Sequence, residues 1–140
     1  MLFIALVVLY CSKQEAVSRK IIVSTEAPAA IGPYSQAVKV GERVYVSGQI
    51  ALDKSGKLDS SSVAAETEKC LQNIKAIVEA AGFDLKAVSK CTVFLTDLNR
   101  FQEMNEVYAR YFHEQAPARE TIGVKALPKG AHVEISAIVN

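Results

Sequence analysis

The stretch from Ser62 to Gly82 reads SVAAETEKCLQNIKAIVEAAG, and its periodicity decides what kind of fold the rest of the chain can build. Val63, Thr67, Cys70, Leu71, Ile74, Ile77, Val78 and Ala81 recur at helical spacing, which gathers them on one side. Glu66, Lys69, Gln72, Lys75 and Glu79 are expected on the polar side. Ser62 can cap the start; Ala65 stands at the third helical position, so this is a cap without a capping box. Gly82 marks the stop. A helix with one apolar side needs a sheet or a second helix against it.

Outward from this helix the pattern switches to strands. Toward the C-terminus, Val88 to Leu95 reads as a strand whose VFL run is apolar on both faces, as in a central strand covered on both sides. A second helix is expected from Asp97 or Asn99, with Phe101, Met104, Asn105, Tyr108, Tyr111 and Phe112 in its body and an end at Ala116–Pro117. Two strands follow, Glu120 to Ala126 and His132 to Val139, separated by LPKG. Toward the N-terminus, Ala37 to Val40 and Arg43 to Ser47 flank Gly41–Glu42 as a hairpin, and Gly48 marks a bulge or a close backbone approach. Arg19 to Ser24 reads as a first strand. Between them TEAPAAIGPYS, Thr25 to Ser35, is irregular because each proline restrains its own φ and the residue before it. The order is β, β-hairpin, α, β, α, β, β, an α+β pattern in which the helices cover one face of a mixed sheet. The chain is too short to supply another layer for the free face, so self-association is expected.

The 140 residues suffice for one domain. Lysine and arginine total 16 against 15 acids, interspersed, with no basic stripe; this gives no electrostatic support to nucleic-acid binding. Cys11, Cys70 and Cys91 form no CxxC or zinc spacing, and Cys70 and Cys91 read as small core residues. Met1 to Tyr10, MLFIALVVLY, is apolar throughout but shorter than the roughly 20 residues a spanning helix needs. Residues 1–17 are therefore read as an N-terminal extension, either a targeting segment or disordered, and residues 18–140 as the domain.

Motifs that announce a chemistry are scarce. There is no P-loop and no Gly-x-Gly-x-x-Gly. His113 and His132 lack neighbours that would make a zinc site and read as solvated or interface residues. Arg119, after Pro117–Ala118 at the mouth of a strand, and Glu134, inside the last strand between Val133 and Ile135, are more informative. A carboxylate in such a strand either faces solvent or needs a partner. An arginine fork fits a substrate carboxylate, and a glutamate can orient water.

Six segments then occur in one order: APAAIGPYSQAV (Ala27–Val38), YVSGQI (Tyr45–Ile50), NIKAIVEAAG (Asn73–Gly82), TVFLTDLNRFQEMNEVY (Thr92–Tyr108), PAR (Pro117–Arg119) and ALPKGAHVEISAIV (Ala126–Val139). Together they cover nearly everything after Ser18, and the sequence resembles the RidA family, also called YjgF/YER057c/UK114. The resemblance implies a chorismate-mutase-like fold and a barrel-like homotrimer with clefts between subunits. It implies hydrolysis of reactive 2-imino acids or their enamine tautomers (2-aminoacrylate, 2-iminopropanoate, 2-iminobutanoate) to 2-keto acids and ammonia. No metal or organic cofactor is implied. By the same resemblance Arg119 binds the substrate carboxylate and Glu134 orients or activates water. Tyr34, Ser47, Gly48, Asn105 and Thr121 contribute to substrate binding in the cleft. Thr121 stands where some members carry cysteine and others alanine, so thiol chemistry is absent there. Glu120 is less familiar and is expected to point away from Arg119's side. The alternative implied by other members is a non-enzymatic trimer that binds small acids, acts as a chaperone or inhibits translation. A cytoplasmic location is expected, with the apolar N-terminus leaving a mitochondrial, secreted or anchored one open. No nucleic-acid partner and no stable membrane association are expected.

Overall fold

A computed structural model describes residues 17–140; the expected targeting or disordered extension lies, but for its last residue, outside the described residues. Six strands form one mixed sheet in the order β1-β2-β3-β6-β4-β5. They are β1 (Arg19–Ile22), β2 (Ala37–Val40), β3 (Arg43–Gln49), β4 (Val88–Leu95), β5 (Ala118–Gly123) and β6 (Val133–Val139). Helix α1 (Val63–Ala80) lies between β3 and β4 in the chain and α2 (Phe101–Tyr111) between β4 and β5. Only β4 and β5 pair in parallel, because α2 carries the chain back to the starting edge; the other neighbours are antiparallel.

Local chemistry explains most boundaries. The Ser62 side chain accepts the Ala65 N–H at 3.0 Å and starts α1. Gly82, with φ of 85°, turns the chain out of it. Asp97 caps a short 3₁₀ turn at Leu98–Arg100 that leads into α2, so the second helix starts later than the sequence suggested. The fifth strand also lies earlier than expected. It runs from Ala118 rather than Glu120, and Arg119 is inside it, because the extended backbone that follows Pro117 is at once paired with β4. The first strand stops at Ile22, and the last starts at Val133 rather than His132.

The core lies between the sheet and the helices. Leu71, Ile74, Ile77 and Val78 of α1 and Met104 and Tyr108 of α2 pack on Val44, Val46, Cys91, Val93, Leu95, Val133, Ile135, Ala137 and Val139. Cys70 and Cys91 are free and buried in this layer, with Cys91 on Val93's face. The opposite face of the sheet has no covering layer among the described residues. It presents Tyr45 and Ile122, both exposed, and Phe94 and Ile138, half-buried. The VFL run of β4 is thus covered on one side by α2 and α1 and on the other only by its neighbours' side chains.

The helix brings one correction. Glu66 is not on the polar side of α1 but fully buried (0% exposed), and Asn73 is buried as well. Glu66 accepts the backbone N–H groups of His132 at 2.7 Å and Val133 at 3.1 Å, and its other oxygen lies 2.6 Å from His132 Nδ1. These partners compensate a carboxylate that would otherwise be costly to bury. They also change the reading of His132, whose imidazole is half-exposed but tied to the core rather than merely solvated.

Candidate functional site

The sequence-named residues fall into two groups on opposite faces of the sheet. The first group surrounds Glu134. In β6 its neighbours Val133 and Ile135 point into the core, so Glu134 points to the uncovered face, where it pairs with Phe94 of β4. Beside it β3 is irregular: the register with β6 shifts between Val46 and Gln49. Gly48 lies in that irregularity directly under the carboxylate. A Cβ placed on Gly48 would stand 1.9 Å from Glu134 Oε1 and 2.8 Å from Cδ. No left-handed backbone is needed here; glycine is required for clearance.

Tyr34 reaches the same place from the irregular Thr25–Ser35 segment. Buried Gln36 ties that segment down: its Oε1 accepts the Ser24 N–H at 2.7 Å and its Nε2 donates to Pro28 O at 2.7 Å. The Ser47 hydroxyl donates to Ser35 O at 2.6 Å, joining the segment to β3. The Tyr34 hydroxyl accepts the Ile31 N–H at 3.3 Å. The result is a cavity of about 300 Å³ lined by Tyr34, Ser47, Gly48, Glu134, Ile31, Ile50 and Pro128. Ile31, Ile50 and Pro128 were not picked out from the sequence; they are ordinary apolar residues, and only their neighbourhood marks them.

The Glu134 carboxyl makes no hydrogen bond among the described residues, and burial raises its pKa above the usual carboxylate value. A carboxyl group held this way exchanges protons nearer to neutral pH than a solvated one.

The second group lies on the helix side at the β5 edge. Arg119 pairs with buried Cys91, and Cys91 and Phe94 are three residues apart in β4, so Arg119 and Glu134 point to opposite faces. The Arg119 guanidinium is set by three neighbours from α2. Its Nη2 donates to Asn105 Oδ1 at 2.9 Å, and its Cζ stands 4.5 Å from the Tyr108 ring centroid and 5.6 Å from that of Phe101. Burial raises the Tyr108 hydroxyl's pKa, so the ring stays neutral beneath the cation. Thr121 follows on the same side, opposite Val93. Glu120 lies on the other face, paired with Lys90, so it does not compete for the Arg119 guanidinium. Asn105 and Arg119 are thus joined, as are Tyr34, Ser47, Gly48 and Glu134; one chain does not bring the two groups together. The aromatic pair Phe101 and Tyr108 was read from the sequence as helix body, and the i, i+4 and i, i+7 spacing of Phe101, Asn105 and Tyr108 is the signal that they share a face.

Cys70 and Cys91 are poor candidates for nucleophiles, since burial raises both thiols' pKa values. Among the described residues no cluster of three or more His, Cys, Asp or Glu side chains could hold a metal ion.

Comparison with known proteins places these features in context. The sequence model of the family described as Endoribonuclease L-PSP matches residues 24–140. A human protein named 2-iminobutanoate/2-iminopropanoate deaminase is 49% identical over 121 residues, covering 86% of this chain and 88% of its own. The bovine protein of the same name is 52% identical with the same coverage. Among solved structures, RidA from an Antarctic Psychrobacter superposes with a TM-score of 0.83 at 48% identity, covering 86% of this chain and 98% of that one. Escherichia coli TdcF with bound serine gives 0.81 at 45% identity, covering 86% and 97%.

Proposed function

The chain belongs to the Endoribonuclease L-PSP, or RidA, family, and from that footing we propose that it hydrolyses small 2-imino acids and their enamine tautomers to 2-keto acids and ammonia. The observation that carries this reading is the partly buried Glu134, its pKa raised by burial, in a small cavity with apolar walls. The relatives' names supply the substrate class.

The chemistry asks little of the protein. An imine carbon is electrophilic, more so when its nitrogen is protonated. Arg119 binds the carboxylate with its fork, held flat by Tyr108 and Asn105. Glu134 takes a proton from water as the oxygen attacks the imine carbon, and a carbinolamine forms. That proton passes to nitrogen, and Glu134 then takes the hydroxyl proton of the carbinolamine as the C=O bond forms and the C–N bond breaks; ammonia leaves with that last proton, so one water enters and one ammonia leaves. Ile31 and Ile50 suit a short aliphatic side chain. Orientation and acid–base assistance are the main sources of rate.

This reading requires a second copy of the chain. Arg119 sits on an edge strand and Glu134 on the uncovered face, so a site with both is assembled from two subunits. A homotrimer closing around the uncovered faces would bury Tyr45, Ile122, Phe94 and Ile138 and form such a site at each junction.

The test generates 2-aminoacrylate and 2-iminobutyrate in situ and follows keto-acid release with native protein, with Arg119→Lys and without protein. Native protein is expected to accelerate release. Arg119→Lys keeps the charge and loses the fork, so KM is expected to rise by roughly 10- to 100-fold with a smaller change in kcat. A native rate equal to the protein-free rate overturns the proposal. A binding protein for small carboxylic acids is the second reading, favoured by the serine named in the TdcF structure; saturable binding of amino or keto acids with no acceleration would select it.

A further inference from the structure

Glu66, buried at 0% exposure, has no part in the steps above. All the groups it accepts belong to the turn that opens β6: the N–H groups of His132 and Val133 and the His132 ring. One turn further along the same face, Cys70 Sγ lies 3.7 Å from Val133 O. Next, Asn73 Nδ2 donates to Ile50 O at 3.3 Å and Leu52 O at 3.0 Å. Glu66, Cys70 and Asn73 thus form a polar seam along the core side of α1. At one end it grips the backbone just before Glu134, and at the other the backbone just after Gly48.

Those two segments adjoin the paired strands β6 and β3, which carry Glu134 and Gly48 side by side into the cavity. The Glu134 carboxyl has no hydrogen bond among the described residues, so its position over Gly48 depends on where its backbone is held. We propose that Glu66 and Asn73 are positioning residues for Glu134: from within the core they hold the backbone that leads into β6 and the backbone that leaves β3, and so fix the placement of the carboxylate over Gly48. Neither side chain lines the cavity. The proposal rests on the reading that Glu134 acts on an imine.

The test uses the full chain with Glu66→Gln, which keeps the shape and one accepting oxygen but turns the other into a donor, so the side chain can no longer accept from the two N–H groups and the ring together. Two readings are taken: kcat and KM for 2-iminobutyrate, and the titration of the Glu134 carboxyl carbon by ¹³C NMR. In Glu66→Gln, kcat is expected to fall about tenfold with KM within about twofold of native, since Arg119 on β5 is untouched. The Glu134 titration is expected to shift from its native midpoint. Native kcat with a native Glu134 titration, even at a lowered melting temperature, would make Glu66 merely structural and overturn the proposal. The NMR reading stands without activity. If native protein hydrolyses no imine, the functional reading falls, and an unshifted titration would still overturn the positioning role. Should Glu66→Gln fail to fold, Asn73→Ala decides by the same two readings.

Discussion

Replacing Glu134 with glutamine is expected to lower kcat for imine hydrolysis by roughly 10²- to 10⁴-fold and, at the same time, to make the folded protein more stable at neutral pH. Loss of rate follows if Glu134 moves a proton, because an amide cannot. The gain in stability follows from burial, which raises the carboxyl pKa in the folded chain. With the folded pKa above the unfolded one, the folded state binds the proton more tightly. Above the folded pKa the ionised group is a standing cost to folding, and below the unfolded value both states are protonated and the cost is gone. Glutamine mimics the neutral form. Its melting temperature should therefore exceed native above the raised pKa, and the advantage should shrink as pH falls through the raised pKa and be gone below about 4.3, the ordinary glutamate value. Thermal melts at pH 8 and pH 4 check this. A variant less stable than native at pH 8 would mean that Glu134 is better solvated or better paired than its surroundings indicate.

Gly48→Ala is expected to cost roughly 100-fold in kcat with little change in stability. The new Cβ would fall 1.9 Å from Glu134 Oε1, a distance two atoms cannot share. The cheapest relief is rotation of the Glu134 side chain away from Gly48, toward the open side of the cavity. That costs the fold little, because the carboxylate has no hydrogen bond to lose, but it removes the proton-transfer group from its place. A double-mutant cycle separates this from general damage. In a Glu134→Ala background, Gly48→Ala is expected to have almost no further effect on residual rate, since the two positions act through one contact. Additive losses would show that Gly48 serves the backbone or the substrate directly.

The sequence carried much of this fold in local form. The Ser62–Gly82 pattern, its cap and its glycine stop appear in α1 as expected. Val88–Leu95 is a strand with those limits, and the Gly41–Glu42 hairpin and the bulge at Gly48 are present. What it carried less well were features set by distant partners. The β5 boundaries depend on parallel pairing with β4, a contact made only after α2 is in place. Glu66 is the most instructive miss. It stands three residues after Val63 and four before Cys70, on the apolar stripe by spacing alone, and Asn73 continues that line. Residue type outweighed position in the reading, because a glutamate is seldom fully buried. The donors that compensate it, at His132 and Val133, lie far along the chain.

The candidate site was legible as a set of residues but not as an arrangement. Tyr34, Ser47, Gly48 and Glu134 meet because the β3 and β6 registers align them, and Asn105 and Arg119 meet because α2 packs beside β5. That the two groups lie on opposite faces follows from the parity of Cys91 and Phe94 in one strand. It becomes visible only once the pairings are known.

The central claim is that a working site takes Arg119 from one copy and Glu134 from another. Mixing tests it directly. Arg119→Ala and Glu134→Gln are each purified as inactive proteins, then unfolded and refolded together in equal amounts. If the site is shared between copies, about a quarter of the junctions in random mixed oligomers hold an intact pair, and about a quarter of native activity should return. If the mixture stays as inactive as its parts while forming mixed oligomers, both residues act within one chain or not at all, and the account is wrong.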